Sequence, residues 1–219
     1  MLKKPAFIVV LMPIFGFVSG CKAEECKSAG NVRIKIQNNL YELPASYQPY
    51  ITSGNKEFPT RDKIQDGQLI HQYCQRSDEV PFNADAIILN RRALNRIAAE
   101  KSEYSRLRGL DLVSIERGST IQPPTVSSGS LTNGGLFRRV EKKNIFELFS
   151  TKPLLFGSGV SAFCGPAPTR EPGSWCTIWG EVAPGIRVTV KLTDAIHPID
   201  EWSSTLEDVE RLIKSFSKS

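Results

Sequence analysis

The chain has 219 residues, 40% of them hydrophobic and 23% charged. That is globular composition, and it excludes a disordered, fibrous or many-span membrane chain. Basic residues outnumber acidic ones, 28 to 23, for a formal charge of +5. Lys3 and Lys4 lie in a leader read below as removed, and the remaining bias is too weak to point to nucleic acid.

Residues 1–20 open with that basic pair and run apolar from Ala6 to Val18. Thirteen helical residues rise about 20 Å, short of the roughly 30 Å hydrocarbon core, so the segment reads as an export signal. Val18-Ser19-Gly20-Cys21 follows. It resembles the lipobox of bacterial lipoproteins, with valine where leucine is usual. The resemblance implies a diacylglycerol on the Cys21 thiol, a cut before Cys21, and acylation (palmitate) of the new amino terminus. Lys22 replaces the aspartate that favours the inner membrane in such Gram-negative lipoproteins, which implies an outer-membrane anchor, on the periplasmic face.

Cys26, Cys74, Cys164 and Cys176 remain. An even number in an exported chain reads as a disulfide framework with three pairings open. The order favours Cys26–Cys74 and Cys164–Cys176, one bridge in each half. The cysteines form no CxxC pair, and His71 and His197 fall in no ligand spacing, so no metal or cofactor is expected. Residues 21–29 read as a short tether that keeps the body close to the membrane.

In the body, Val32 to Ile36 alternates apolar and basic residues as a half-buried strand does, and Leu40 to Leu43 returns after a turn at Asn38-Asn39. Residues 44–66 read as loop, with a turn of helix. Strands are expected at Gln68–Gln75, Ala84–Leu89 and Leu110–Ile115. Between the last two, residues 91–108 carry an apolar stripe of Leu94, Ile97, Ala98, Tyr104 and Leu107 at helical spacing. Asn90 suits the N-cap and Gly109 a left-handed C-cap. The opposite face, with Arg91, Arg92, Arg96, Lys101, Arg106 and Arg108, reads as solvated, or as a surface for acidic headgroups or an acidic partner.

Residues 117–135, rich in Gly, Ser, Thr and Pro, read either as a flexible surface loop or as a hinge between a lobe at 30–116 and another at 136–219. Beyond it, strands are expected at Leu136–Val140, Pro153–Phe156 and Val160–Cys164. Trp175–Val182 and Ile186–Leu192 read as a hairpin turning at Ala183-Pro184-Gly185. Ser204-Thr205-Leu206-Glu207 has the form of a capping box. It opens a helix with Leu206, Val209, Leu212, Ile213 and Phe216 on one face and Lys214 and Lys218 near its negative end. The fold class is therefore α+β: antiparallel sheets with two amphipathic helices.

No catalytic residues are expected. Ser158 stands in G-S-G and not in a nucleophile elbow, and the two histidines read as structural or surface residues. Glu42, Asp85 and Asp194 have no partner that spacing reveals. Trp175, Trp179 and Trp202 read as core. The function expected is binding, through the 118–135 loop and the basic segment Arg138, Arg139, Lys142 and Lys143. In size, tether, stapled α+β body and the Asp200-Glu201-Trp202 lead into its last helix, the chain resembles the immunity lipoproteins encoded beside type VI secretion lipase effectors. That resemblance implies occlusion of a toxin's active site. An accessory lipoprotein of a secretion, conjugation or surface-exclusion system, and a periplasmic hydrolase, are the other readings.

Overall fold

Strict alternation builds the first hairpin. The computed structural model describes residues 30–54, 56–58, 81–118, 129–143, 145–167 and 173–218. β1 (Asn31–Ile36) buries Val32, Ile34 and Ile36 completely and turns Arg33 and Lys35 away. It pairs antiparallel with β2 (Asn39–Pro44) across a two-residue turn at Gln37-Asn38, one residue earlier than expected, with Gln37 left-handed at φ 53°. The loop expected over 44–66 contains two strands instead, β3 (Tyr50–Ser53) and β4 (Lys56–Phe58). β3 is short and its neighbours are polar. What makes it a strand is its partner: Ile51 pairs with Ile87 and is 3% exposed.

β5 (Phe82–Asn83) lies parallel to β1, and β6 (Ala86–Asn90) leads directly into α1 (Arg91–Glu100). The Asn90 side chain accepts from the Ala93 N–H at 3.0 Å, capping the helix as the sequence indicates. The helix ends eight residues before the expected end at 108. A continued α-helix would bring Lys101, seven residues after Leu94, onto the buried face. Lys101 instead adopts an extended conformation and stays exposed. A 3-10 segment, Ser102–Leu107, then seats Tyr104 and Leu107 in the core. Gly109 is left-handed, at φ 88°, and a Cβ there would meet Ile196 Cγ2 at 2.9 Å.

β7 (Leu112–Arg117) pairs with β6 on one side and with β13 (Ile186–Thr193) on the other. This pairing joins strands from both ends of the chain into one ten-stranded sheet. With β8 (Ser130–Leu131), β9 (Phe137–Lys142), β10 (Ile145–Ser150), β11 (Ser161–Pro166) and β12 (Ser174–Ala183), its order is β4-β3-β6-β7-β13-β12-β11-β10-β9-β8. β14 (Ser217–Lys218), at the C-terminal end, joins β2 in the smaller sheet. Both sheets therefore mix strands from 30–116 and 136–219, so a division into two lobes does not coincide with the sheets. Residues 119–128 lie outside the described residues.

Two strand expectations change in the C-terminal half. β10 lies where no strand was expected; Phe146 and Leu148 on alternate positions make it a full partner of β9 and β11. Pro153–Phe156 is not a strand. It is a tight turn closed by Leu155 and Ser158, with Phe156 and Gly157 left-handed. Its Phe156 N–H donates to Glu210 Oε2 at 2.8 Å, and this side chain comes from the last helix. The hairpin β12–β13 forms as expected, with an irregularity between Glu181 and Ala183. The alternation of β13 does not give a wet face throughout, because Thr189 and Thr193 are also buried.

α2 (Trp202–Phe216) starts two residues before the capping box, which falls inside the helix. Pro198 and the 3-10 turn Ile199–Glu201 begin the helical path instead. Trp202, Leu206, Val209, Leu212 and Ile213 are buried, and Trp202 meets Phe137 edge to face at 5.5 Å. Lys214 ends in the last turn and pairs with Glu210; Lys218 lies beyond the helix in β14. The architecture is α+β, mostly antiparallel, around one contiguous core.

Cys164 and Cys176 stand opposite one another on β11 and β12 and form a disulfide with Cα atoms 4.1 Å apart. Closing a loop of 12 residues is worth about 3 kcal/mol on the chain-entropy estimate. Replacing both cysteines by alanine should lower the urea unfolding free energy by about that amount, with a somewhat steeper slope because the unfolded chain is no longer cross-linked. A loss below about 1 kcal/mol would contradict the estimate. Cys21, Cys26 and Cys74, with the strand expected at 68–75, lie outside the described residues.

Candidate functional site

An open cavity of about 410 Å³ lies where the end of the 117–135 stretch, β9 and the lead into α2 come together. One wall is Leu131, Thr132 and Asn133. Arg139 projects from β9, and Asp194, Pro198, Ile199 and Asp200 close the other side. Gly129 makes the first wall. It is left-handed at φ 115°, and a Cβ there would stand 2.5 Å from the Arg139 carbonyl oxygen, so only glycine allows this approach. The chain is then pinned to β9 as the Thr132 N–H donates to Phe137 O at 2.9 Å and the Phe137 N–H donates to Thr132 Oγ1 at 3.2 Å. On the far side, Asp194 Oδ1 accepts the Ser174 N–H at 2.6 Å and holds the turn after β13. Leu131 stands 56% exposed at the rim.

The charges of the cavity are unevenly matched. Arg139 stacks its guanidinium 3.8 Å from the centre of the Phe146 ring and pairs with Glu141 at 2.6 Å. Asp194 and Asp200 have no ion-pair partner among the described residues. Asp200 is exposed.

Two members of the expected basic segment, Arg138 and Arg139, do not share a face. Strand alternation points Arg138 and Arg139 to opposite faces of β9: Arg138 stands across from Phe149, Arg139 across from Leu148. Arg138 is further engaged by Gly129 O at 2.9 Å. Lys142 pairs with Ile145 in the ladder, and Lys143 is an exposed turn residue at φ 49°. Among the described side chains of that segment, Arg139 lines the cavity. Leu131, Thr132 and Asn133 fall in the 118–135 loop expected to bind. Sequence reading missed Pro198, Ile199 and Asp200 as members of a site, since nothing local links them to that loop.

Other candidates take structural places. His197 is 6% exposed; its carbonyl accepts the Trp202 indole N–H at 2.8 Å. Burial pushes its imidazole pKa below the usual value, against smaller opposing pulls from the Arg108 backbone, Glu201 and Asp111. His71 lies outside the described residues. The Ser158 hydroxyl donates to Leu155 O at 2.7 Å inside the tight turn. Glu210 holds that turn from α2. Burial opposes its charge, yet hydrogen bonds from Lys214 and Phe156 and the Lys214 charge keep its carboxyl below the usual range. Glu42 accepts from Asn31 at 2.7 Å, and Asp85 accepts from the Gly54 N–H at 2.5 Å.

Of the three tryptophans expected in the core, Trp202 is fully buried and Trp179 half-buried. Trp175 is 39% exposed, its indole N–H donating to Asp111 at 3.0 Å and Lys191 Nζ 5.6 Å from its ring centre. On the helical face, Arg91 pairs with Asp111, Arg106 reaches Asp208 at 3.9 Å, and Arg96 donates to Ser46 O, so that face is tied into the fold. Among the described residues, no group of three or more His, Cys, Asp or Glu could hold a metal ion.

No known protein family matches the chain, and no curated protein does. Among solved structures, the crystal structure of the Neisseria meningitidis iron-regulated outer membrane lipoprotein FrpD is similar at a TM-score of 0.39 and 10% identity, covering 85% of this chain and 92% of that one. No residue role is carried over from it.

Proposed function

We propose that this chain is a lipid-anchored envelope protein that binds a protein partner, held through Cys21 on the periplasmic face of the outer membrane. The partner is an antibacterial effector of the type VI secretion lipase kind, neutralised by occlusion. The observation that carries the binding reading is the open cavity beside the 117–135 stretch, rimmed by exposed Leu131 and walled by charged and apolar groups. Mixed apolar and charged lining suits a protein surface, where apolar contact supplies affinity and charge supplies register. Occlusion needs no nucleophile or base in this chain, in keeping with a buried His197 and a Ser158 hydroxyl engaged by backbone.

The test is co-expression with the product of the adjacent reading frame. The expected result is a complex that survives purification and protects cells from that product, with protection retained in a His71→Gln, His197→Gln variant of normal stability. Absence of both complex and protection sinks the immunity reading. Co-purification with a secretion or conjugation component would establish the accessory-lipoprotein reading in its place. Turnover lost with His71→Gln in folded protein would establish the hydrolase.

A further inference from the structure

We propose that His197 is an acid-sensitive catch: a proton taken up by its ring releases residues 194–201 from the turn at Arg108–Asp111, and with them one side of the cavity. The inference does not depend on what the cavity binds. Residues 194–201 run from the end of β13 to the start of α2 and bring Asp194, Pro198, Ile199 and Asp200 to the cavity lining. Local bonds shape them. The Ile196 and His197 N–H groups donate to Thr193 O at 3.2 and 3.0 Å, and the Glu201 N–H donates to Pro198 O at 2.8 Å. Ile196 and His197 seat the segment against Gly109, where a Cβ would stand 2.9 Å from Ile196 Cγ2 and 3.5 Å from His197 Nε2.

His197 is 6% exposed, and its Nε2 is buried with no hydrogen-bond partner among the described residues. The Gly109 N–H beside it is already donated to Asn95 at 2.9 Å. The groups that act on the ring are the Arg108 backbone, Glu201 from the 3-10 turn before α2, and Asp111 from the chain entering β7. Asp111 is itself engaged by Arg91 and by the Trp175 indole. All three favour the charged ring, but burial outweighs them. A neutral imidazole carries one N–H, a protonated one carries two. An added N–H and a charge, buried without an acceptor at Nε2, cost far more than an idle lone pair. Opening the segment hydrates the ring and returns it to its ordinary value near 6.5. The closed form therefore holds its proton less tightly than the open form. Its stability is complete above about pH 6.5 and falls as the pH drops below that value, by up to about tenfold in the opening equilibrium per pH unit for one proton.

The experiment is amide exchange by NMR on the full lipidated chain in detergent micelles at pH 7.5 and 5.5, expressed as protection factors so that intrinsic exchange cancels. Protection is expected to fall up to about tenfold at the Ile196, His197 and Glu201 amides and at the Trp202 indole, which donates to His197 O, while the β12–β13 ladder keeps its protection. Carboxylates of ordinary pKa stay ionised across this window. His197→Gln should remove the pH dependence. Should that variant fail to fold, titration of the wild-type imidazoles decides, with His71→Gln identifying the His197 signal. Equal protection at the two pH values, a loss spread over the whole chain, a loss that persists in folded His197→Gln, or a His197 ring that titrates at or above 6.5 overturns the proposal.

Discussion

Trp202→Ala is expected to destabilise the protein by about 3–5 kcal/mol, the range for removing a large aromatic side chain from a packed core. Trp202 is fully buried, sits edge to face with Phe137, and donates its indole N–H to His197 O at 2.8 Å. The substitution removes apolar burial, opens a cavity, and strands a buried carbonyl. Trp202→Phe separates these contributions. It keeps a ring against Phe137 and loses the hydrogen bond, for about 1–3 kcal/mol. Urea unfolding of both variants measures the difference, and a Trp202→Ala loss near 1 kcal/mol would show that the site collapses around the alanine. The bond also fixes the segment 197–200, which forms one side of the cavity.

Cys21→Ser is expected to release the protein from membranes altogether. Each buried methylene adds about 0.8 kcal/mol to membrane affinity; one acyl chain holds a protein only marginally, whereas several hold it firmly. A serine hydroxyl is a far weaker nucleophile than a thiolate, so neither the diacylglycerol nor the later acyl chain is added. Palmitate labelling and fractionation should show label and membrane association in the wild type and neither in the variant. Label retained in Cys21→Ser would refute the assignment. A variant that is unlabelled yet still sediments with membranes would show that the body itself binds lipid, and the arginines beside α1 would then be the first residues to test.

Much of the local structure was legible because the signals involved are local. Val32, Ile34 and Ile36 alternate, so one face of β1 is buried whatever the strand pairs with. Asn90 needs only the next three residues to act as a cap. Where a local signal competed with packing, packing prevailed. The helix expected to reach 108 stops at Glu100 because its next turn would have buried Lys101. The capping box at Ser204 goes unused because the turn at Ile199–Glu201 starts the helix first.

What the sequence by itself determined is the set of elements whose partners are near in the chain: the hairpins β1–β2 and β12–β13, the start of α1 and the apolar face of α2; it favoured the Cys164–Cys176 bridge among three pairings, and the structure made that pairing. Their contacts close short loops, and residue pattern alone encodes them. Only the tertiary structure decided the pairing of β7 with β13, the return of β14 to β2, and hence a sheet shared by both halves. It also decided the cavity. Arg139 and Arg138 are neighbours in sequence, but the pleat of β9 sends them to opposite faces, and only one meets Asp194 and Asp200. A run of basic residues read along the chain is a patch of charge; folded into a strand it divides, and long-range pairing determines which acids each half faces.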